Sequence, residues 1–179
     1  RNPENALLAW TNKQTQNWKF NGIVESDSDR KFAFQLEFTL RHTQKDKISK
    51  IPLRWLKPDV FSAQFAITDY MNANSKKTFR SWSRGGLFDL KQGFAGENRM
   101  HIELGGWYAW RNPTGTFSIF AAADGHSTSL HFTPAKPLSY HAQRGFIQKG
   151  SLSENSAYFC SYTNLQTKGT VLIDGKLYD

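Results

Sequence analysis

The sequence has a single cysteine, no long apolar run and no dense cluster of charge, and each shortage excludes a class of protein. Cys160 is the one cysteine in 179 residues, so an internal disulfide is excluded. No apolar run approaches the ~18 residues of a membrane-spanning helix, so we expect no transmembrane segment. The motifs HExxH, CxxC, GxSxG and Walker A are absent. Their absence removes the motif evidence for zinc proteases, zinc ribbons, α/β-hydrolases and P-loop nucleotidases.

Charge is plentiful but scattered. The formal net charge of +8 invites a nucleic-acid hypothesis. The lysines and arginines, however, never form a run of five or six, and no RNP-type aromatic motif accompanies them. Loops and lysine-guarded strand edges account for such a distribution. We therefore expect no nucleic-acid partner.

Alternation of apolar and polar residues is the dominant signal. In "KFAFQLEFTLR" (residues 31–41) the odd letters are polar or small and the even letters are phenylalanine or leucine, which is the period of a strand with one buried face. Similar segments recur along the chain and predict roughly nine or ten strands. Asp124-Gly125 and Asp174-Gly175 separate two pairs of them and predict tight hairpin turns. The pattern predicts an all-β antiparallel barrel or strongly bent sandwich, with little helix outside residues 3–13.

A family resemblance rests on stretches that occur in a fixed order. They are "NWKFNGIV", "FAFQLEFTLR", "QFAITD", "RGGLFDLKQGFAG", "GGWYAW", "FSIFAAADGHSTSLHFTPAKPLSYHAQRGFIQKG" and "SAYFCSYTNLQTKGTVLIDGKLY". Together they cover roughly residues 16–178. The chain resembles the AttH/CrtC-like family, which includes the carotenoid 1,2-hydratases (hydroxyneurosporene synthases) and proteins labelled secreted hydrolases. The stretch "QNWK" at residues 16–19 departs from the family's "EWWY", so that position lacks a catalytic acid.

The resemblance implies two lipocalin-like β-barrels that lie side by side around a largely apolar cleft. Residues 1–179 would form a single lipocalin-like β-domain, with residues 1–14 as an N-terminal extension. The last hairpin strand stops four residues after the Asp174-Gly175 turn, so we interpret the chain as the N-terminal half of a longer two-barrel protein. Its partners would be a hydrophobic small molecule and the C-terminal domain of the same polypeptide.

The implied activity leaves two classes open. One is a hydratase (hydro-lyase) or hydrolase-like enzyme acting on an isoprenoid- or lipid-like molecule, with activity that needs the C-terminal half. The alternative is a non-catalytic lipocalin-type carrier for a hydrophobic ligand. No cofactor is implied. An exported or periplasmic protein whose signal peptide has been removed is expected, with a cytoplasmic protein as the alternative.

The loop "KPLSYHAQRGFIQKG" (residues 136–150) interrupts the strand pattern and contains the weak catalytic candidate, His141. His141 is either an acid–base or polar orienting group at the mouth of the cleft, or a loop residue bonded to backbone. We expect Lys149-Gly150 to form a turn in which Gly150 supplies a positive φ. An anion site would prefer a helix N-terminus or a glycine nest, and neither is evident. The loop is thus first a connection.

The remaining substrate-binding candidates are Gln35, Trp107, Tyr158 and Tyr162, together with His141. Gln35 faces water if the aromatic face of its strand is core, or lines a cleft if strand twist turns it toward a neighbouring domain. Tyr158 and Tyr162 are expected on one strand face with Cys160, in "SAYFCSYTN". The side chains of Trp107, Tyr158 and Tyr162 either belong to the barrel core or form part of a ligand-binding surface that is partly apolar and partly polar.

Two further groups complete the prediction. Cys160 is interpreted as a buried free thiol rather than a nucleophile, and Asp69 as a turn-forming residue at a strand end. His126 and His131 are five positions apart and have no carboxylate or thiol company, so no metal is assigned.

Overall fold

The computed structural model describes residues 7, 15–42, 47–48, 51–52, 59–72, 76–83, 93–95, 99–142, 145–151 and 156–179. The strands in chain order are β1 (Thr15–Glu25), β2 (Lys31–His42), β3 (Lys47–Ile48), β4 (Ile51–Pro52), β5 (Asp59–Asp69), β6 (Lys77–Ser83), β7 (Gly93–Ala95), β8 (His101–Leu104), β9 (Trp107–Arg111), β10 (Phe117–Ala123), β11 (His126–Pro134), β12 (Ser139–Tyr140), β13 (Phe146–Gln148), β14 (Ser156–Tyr158), β15 (Cys160–Ser161), β16 (Leu165–Ile173) and β17 (Lys176–Tyr178). The described part of the chain contains no α-helix. The helix predicted within residues 3–13 lies outside the described residues, apart from Leu7.

Two antiparallel sheets hold most of these strands. One sheet has the order β1-β2-β5-β6, and the other has the order β17-β16-β11-β10-β9-β8-β7. Two-stranded ribbons pair β12 with β15, β13 with β14, and β3 with β4. The all-β prediction is confirmed. Every segment that alternation predicted as a strand lies in one of the two sheets, except "SAYFCSYTN", which divides between two ribbons.

The core forms where the apolar faces of the two sheets meet. The even-numbered residues of β2 from Phe32 to Leu40 are all buried, as the alternation predicted. Rings from the two sheets make contact throughout the interface: Phe34 with Phe132 at 6.1 Å, Phe65 with Trp107 at 6.0 Å, and Phe32 with Tyr178 at 4.7 Å between centroids. Packed aromatic faces of this kind characterise a sandwich. Within the described ranges the architecture is therefore the bent-sandwich alternative of the prediction.

The two Asp-Gly pairs form the hairpins that the sequence predicted. Asp124 and Gly125 have φ values of 47° and 74°, and Asp174 and Gly175 have 50° and 76°. Positive φ at both central residues matches the right-handed twist of the flanking strands. Ala123 accordingly pairs with His126 across the first turn. Local residue chemistry fixes the register here.

Gly169 in β16 permits a close approach of two backbones in the seven-stranded sheet. Its φ is 139°, and a Cβ at this position would lie 2.0 Å from the carbonyl oxygen of Ser129 in β11. No side chain fits between the strands at that distance. Glycine is required here by space as well as by conformation.

The strand β17 packs against the end of the sandwich that carries the β1–β2 turn. The ring of Tyr178 packs against Phe32, and the amide N–H of Asp27, in the turn after β1, donates to the carbonyl oxygen of Asp179 at 3.0 Å. The first hairpin and the last strand thereby become neighbours.

Across the ranges that the structure describes, no helix has the length and apolar character needed to cross a bilayer.

Candidate functional site

A segment of two short ribbons lies outside the sandwich and carries three of the five predicted site residues. We call the described residues between 139 and 162 the ribbon segment; they comprise β12 to β15. Tyr140 pairs with Cys160 in one ribbon, and Phe146 pairs with Tyr158 in the other. His141, Tyr158 and Tyr162 are the predicted site residues that this segment brings into one region.

The prediction of one continuous strand over "SAYFCSYTN" was wrong. The strand breaks at Phe159, whose N–H donates to the carbonyl oxygen of Gly145 at 2.6 Å and whose carbonyl accepts the N–H of His141 at 3.0 Å. These bonds replace the regular ladder and divide the segment between two partners. Tyr158 and Tyr162 therefore do not share a strand face with Cys160.

His141 is held by both its ring and its backbone. Its Nε2 forms a 2.8 Å hydrogen bond with Ser161 Oγ, and its ring stacks on Phe159 with 4.2 Å between centroids. The His141 carbonyl also accepts the N–H of Gly145 at 2.8 Å. A histidine bonded to a serine hydroxyl has the arrangement of a base and a nucleophile. In the described residues no carboxylate orients this ring, so the complete triad arrangement is not present.

Among the described residues of this loop, the backbone takes positive φ at Ala142 and Gly145 and not at Gly150. Ala142 has φ 53° and Gly145 has φ 87°, whereas Gly150 is not among the glycines with positive φ. The expectation that Gly150 supplies a positive φ was wrong. The carbonyl oxygen of Gly150 accepts a hydrogen bond from the side-chain amide of Gln148. At Gly145 a Cβ would lie 3.0 Å from Cδ1 of Tyr140, so this glycine lets the two ribbons approach.

The ribbon segment exposes aromatic rings. Tyr140, Phe146 and Phe159 are 39%, 38% and 51% exposed, and Phe146 contacts Tyr158 edge-on at 5.9 Å. Exposed apolar rings grouped in one segment make that segment a candidate for binding a ligand or another protein surface. His141 and Ser161 supply the polar groups among them.

A cavity of about 470 Å³ adjoins the ribbon segment through Tyr162. It is lined by Arg111, residues 114–116, residues 133–138 and Tyr162. The cavity is largely open to solvent, so it is a surface depression rather than an enclosed small-molecule site. The Tyr162 ring packs on Phe117, with 5.2 Å between centroids, and so connects the cavity to the core.

The other two predicted site residues lie elsewhere. Trp107 is core, 6% exposed, and its Nε1 donates to the carbonyl oxygen of Ala122 at 2.8 Å. Gln35 lies on the outer face of the four-stranded sheet, half-buried, and its Nε2 donates to Glu37 Oε2 at 3.3 Å. The aromatic face of this strand is core, so Gln35 faces outward. This is the first of the two alternatives that the sequence left open for Gln35. A ligand-binding role for any of the five residues stays a prediction.

Cys160 and Asp69 have environments that argue against catalysis by either side chain. Cys160 is half-buried rather than buried, and partial burial raises the pKa of its thiol, which makes the reactive thiolate scarce. The hydrogen bond with Arg30 lowers the pKa of the buried Asp69, which also accepts the N–H of Met71 at 3.0 Å. The Met71 bond is the turn-forming role that was expected, but the ion pair with Arg30 was missed. Asp69 stays ionised and cannot donate a proton.

Sequence reasoning also missed Ser161 as the partner of His141, and it did not bring Arg111 and Lys136 to one cavity. Lys136 belongs to the loop that was considered for anion binding, but Arg111 lies 25 positions earlier in β9. Only the sheet order brings the end of β9 to the same edge of the sheet as the end of β11, with the start of β10 between them. The two histidines considered for a metal diverge: His126 is buried and His131 is exposed. Within the described ranges no cluster of three metal-ligating side chains occurs.

Comparison with known proteins identifies the family. A search of curated proteins found no match. A crystal structure of a protein from Nitrosomonas europaea, provisionally named AttH, matches with a TM-score of 0.78 and 21% identity. The match covers 99% of this chain and 51% of that one, so the chain spans about half the length of this neighbour. The family model described as AttH-like matches residues 5–179. This chain, an all-β sandwich with an attached ribbon segment, belongs to the AttH-like family.

Proposed function

We propose that this chain is the N-terminal, lipocalin-like half of a longer protein that binds a hydrophobic, isoprenoid- or lipid-like small molecule. The ribbon segment forms one wall of the binding cleft, and the other half of the polypeptide forms the opposite wall. The proposal rests on one observation: aromatic rings are exposed in the ribbon segment beside a bonded His141–Ser161 pair. The half-length match to the structural neighbour supports a second wall.

The interior of the sandwich does not serve as the ligand site in this proposal. Rings such as Phe34, Phe65 and Phe132 fill the space between the sheets and are nearly inaccessible. A ligand of this class therefore binds on the outside of the sandwich, where a second wall can remove its apolar surface from water. Burial of apolar surface supplies about 25 cal/mol per Å².

Two activities remain for the longer protein. A hydratase would protonate an isolated C=C with a carboxylic acid and capture the cation with water, which requires an acid whose pKa is raised by burial. The ionised Asp69 does not meet this requirement, so the acid would come from the other half. A hydrolase-like reaction would instead use His141 and Ser161. A carrier without catalysis is the second candidate, because within the described residues no carboxylate orients the ring of His141.

Binding is tested with farnesol, a neutral isoprenoid alcohol, by titration under nuclear magnetic resonance. We expect Phe159→Ala to weaken farnesol binding about fivefold to tenfold, because the variant removes an exposed ring from the proposed wall. Tyr70→Ala is the matched control. Tyr70 is also an exposed aromatic residue, but it follows β5 at the end of the sandwich that carries Phe32 and Tyr178. Equal weakening by the two variants would contradict the proposed wall.

Turnover separates the enzyme from the carrier. The longer polypeptide is incubated with farnesol and with a farnesyl ester, and the products are separated by chromatography. Hydration or ester cleavage would support the enzyme, whereas stoichiometric binding without product would eliminate it. Loss of ester cleavage in both Ser161→Ala and His141→Gln, with farnesol binding retained, would assign the hydrolytic chemistry to this pair.

A further inference from the structure

Two strands at one side of the sandwich have an edge that no described strand covers. β1 is an edge strand of the four-stranded sheet, and among the described strands it pairs with β2 alone. β16 pairs with β11 along residues 165–172, but on its other side β17 covers only residues 171–173. An uncovered strand edge presents a row of backbone donors and acceptors to which a further strand can bond.

A hydrogen bond joins these two edges at their common end. The N–H of Asp27, two positions after β1, donates at 3.0 Å to the carbonyl oxygen of Asp179, which directly follows β17. Midway along β1 the edges are still neighbours, because the ring of Phe20 contacts that of Phe132 in β11, the strand beside β16, with 6.3 Å between centroids. We call the space that continues from Asp179 between β1 and residues 165–170 of β16 the seam.

The hydrogen-bond pattern shows which backbone groups of β1 face the seam. Ser26 donates its N–H to the carbonyl oxygen of Arg30 at 2.9 Å, in register with the β1–β2 ladder. Residues of an antiparallel strand alternate between those that bond to the partner strand and those that point away from it. The even-numbered residues of β1 therefore bond to β2. The odd-numbered residues direct their N–H and C=O groups to the seam, as Asp27 does toward Asp179.

The same reasoning applies to β16. Ala135 donates its N–H to the carbonyl oxygen of Asn164 at 3.0 Å, in register with the β11–β16 ladder, so the even-numbered residues of β16 bond to β11. Leu165, Thr167 and Gly169 consequently face the seam. The Thr167 hydroxyl donates to the Leu165 carbonyl oxygen at 3.3 Å. A side chain here bonds to an acceptor for which the described part of the chain supplies no strand.

Apolar side chains beside the seam are incompletely covered. Phe20 and Val24 of β1 and Leu165 of β16 belong to the inner faces but are only half-buried. The inner residues of β2, one strand further from the seam, are all buried. A strand in the seam with apolar residues on its inner face would remove the remaining apolar surface from water.

We infer that the seam binds the strand that continues from Asp179 in the longer polypeptide, and that this strand closes one side of the sandwich. The inference rests on the proposed function, which supplies that polypeptide, and it adds an interaction surface remote from the ligand wall. The occupant is a single strand that satisfies both edges of the seam.

Register supports this occupant. Residue 171 pairs with 178 and 173 with 176, so the same register places positions 180, 182 and 184 opposite residues 169, 167 and 165. Positions 181 and 183 then face β1, as Asp179 already does. The strand runs antiparallel to both neighbours, and its even-numbered positions share the inner face with the buried Tyr178. We therefore expect apolar residues at positions 180, 182 and 184.

Hydrogen exchange of backbone amides, measured by nuclear magnetic resonance, tests the seam. The 179-residue chain is compared with the longer polypeptide. In the 179-residue chain, the seam-facing amides of Ile23 and Thr167 should exchange at least about tenfold faster than those of Val24 and Lys168, which bond to β2 and β11. In the longer polypeptide, the amides of Ile23 and Thr167 should slow at least about tenfold, and the other two should stay slow.

Two variants at one exposed position isolate the backbone contribution. Ile23→Pro removes a seam-facing N–H and leaves the β1–β2 ladder bonds in place, whereas Ile23→Ala removes the same exposed side chain and keeps the N–H. In the longer polypeptide, Ile23→Pro should speed exchange of the Thr167 amide about tenfold relative to Ile23→Ala. In the 179-residue chain the two variants should give the same Thr167 rate.

Three results would overturn the inference. Fast exchange of Ile23 and Thr167 in both proteins would mean that the continuing chain leaves the seam open. Slow exchange in both would mean that residues before Thr15 fill it. Protection that grows with the concentration of the 179-residue chain would assign the seam to a second copy.

Farnesol binding is measured separately, so the two proposals fail independently. Farnesol binding by the longer polypeptide without protection of Ile23 and Thr167 would leave the proposed function standing and remove the strand in the seam. The expected exchange pattern without farnesol binding would do the reverse.

Discussion

The sandwich core and the ribbon segment contain the same kinds of aromatic residue in opposite environments, buried in the core and exposed in the ribbon segment. Phe132 is 3% exposed between two sheets, whereas Phe159 is 51% exposed and stacks on His141. The core ring is held from both sheets, and the ribbon ring is held from one side only. Composition alone therefore does not distinguish a buried aromatic residue from an exposed one. The number of layers that pack around the ring decides whether it is buried or exposed.

The largest expected effect tests that difference directly. Phe132→Ala should reduce the free energy of unfolding by about 3–5 kcal/mol, because it opens a cavity among rings from both sheets. Phe159→Ala should change it by no more than about 1 kcal/mol, because the ring is half in water. Denaturant unfolding of both variants gives the two values. Equal losses would show that the ribbon segment is as tightly packed as the core.

Glycine replacement compares the two regions in a second way. Gly169→Ala should cost about 2–4 kcal/mol, because the new Cβ meets the Ser129 backbone, which cannot move without opening the sheet. Gly145→Ala, also at positive φ, should cost about 1–2 kcal/mol, because its nearest neighbour is the side chain of Tyr140. Thermal unfolding followed by circular dichroism ranks the two. A larger loss of stability for Gly145→Ala than for Gly169→Ala would contradict the view that the backbone is more rigid in the sandwich than in the ribbon segment.

The polar pairs of the two regions should differ in their pH dependence. The pKa of Asp69 is lowered in the fold by its bond with Arg30, so the pair stabilises the fold above the ordinary aspartate pKa. That contribution is lost as pH falls through the lowered pKa, from about pH 4 downward. We expect Asp69→Asn to lower the unfolding midpoint at pH 7, and this loss should become smaller as the pH falls below about 4. Ser161→Ala should cost about 0.5–1.5 kcal/mol at pH 7, the value of one hydrogen bond.

The smallest effect concerns the thiol of the ribbon segment. Burial raises the pKa of Cys160, so its thiolate is scarce at neutral pH. Iodoacetamide should therefore label Cys160 more slowly at pH 7.5 than it labels a cysteine in the unfolded chain. Mass spectrometry of the native and urea-unfolded protein measures both rates. Labelling of the native protein at the faster rate would place Cys160 among the reactive groups.

The sequence carried the local part of this architecture well. Alternation along residues 31–41 placed Phe32 and Phe38 in the core, and the Asp-Gly pairs set the registers of two hairpins. Both features depend on a few consecutive residues. The break at Phe159 depends instead on hydrogen bonds to His141 and Gly145, which are 18 and 14 positions away. No local pattern contains that information.

The candidate site shows the same limit more strongly. His141 attracted attention as a titratable residue in a loop, but its partner Ser161 lies 20 positions away. Arg111 and Lys136 approach one cavity only because β9, β10 and β11 are adjacent in the sheet. Trp107 was a candidate either for the core or for a ligand surface, and its Nε1 donates to a backbone acceptor within the core. Side-chain roles of this kind follow from topology.

The contact between the first hairpin and the last strand has a consequence for biosynthesis. Phe32 is covered by Tyr178, and Asp27 bonds to Asp179, so the four-stranded sheet is sealed by residues made roughly 150 positions later. At about 5–20 residues per second, ribosomes need roughly 7–30 s to bridge that gap. During this interval the hairpin of β1 and β2 has been synthesised, but Tyr178, which packs against Phe32, has not. A nascent chain of this design exposes apolar surface for longer than a protein whose first contacts are local.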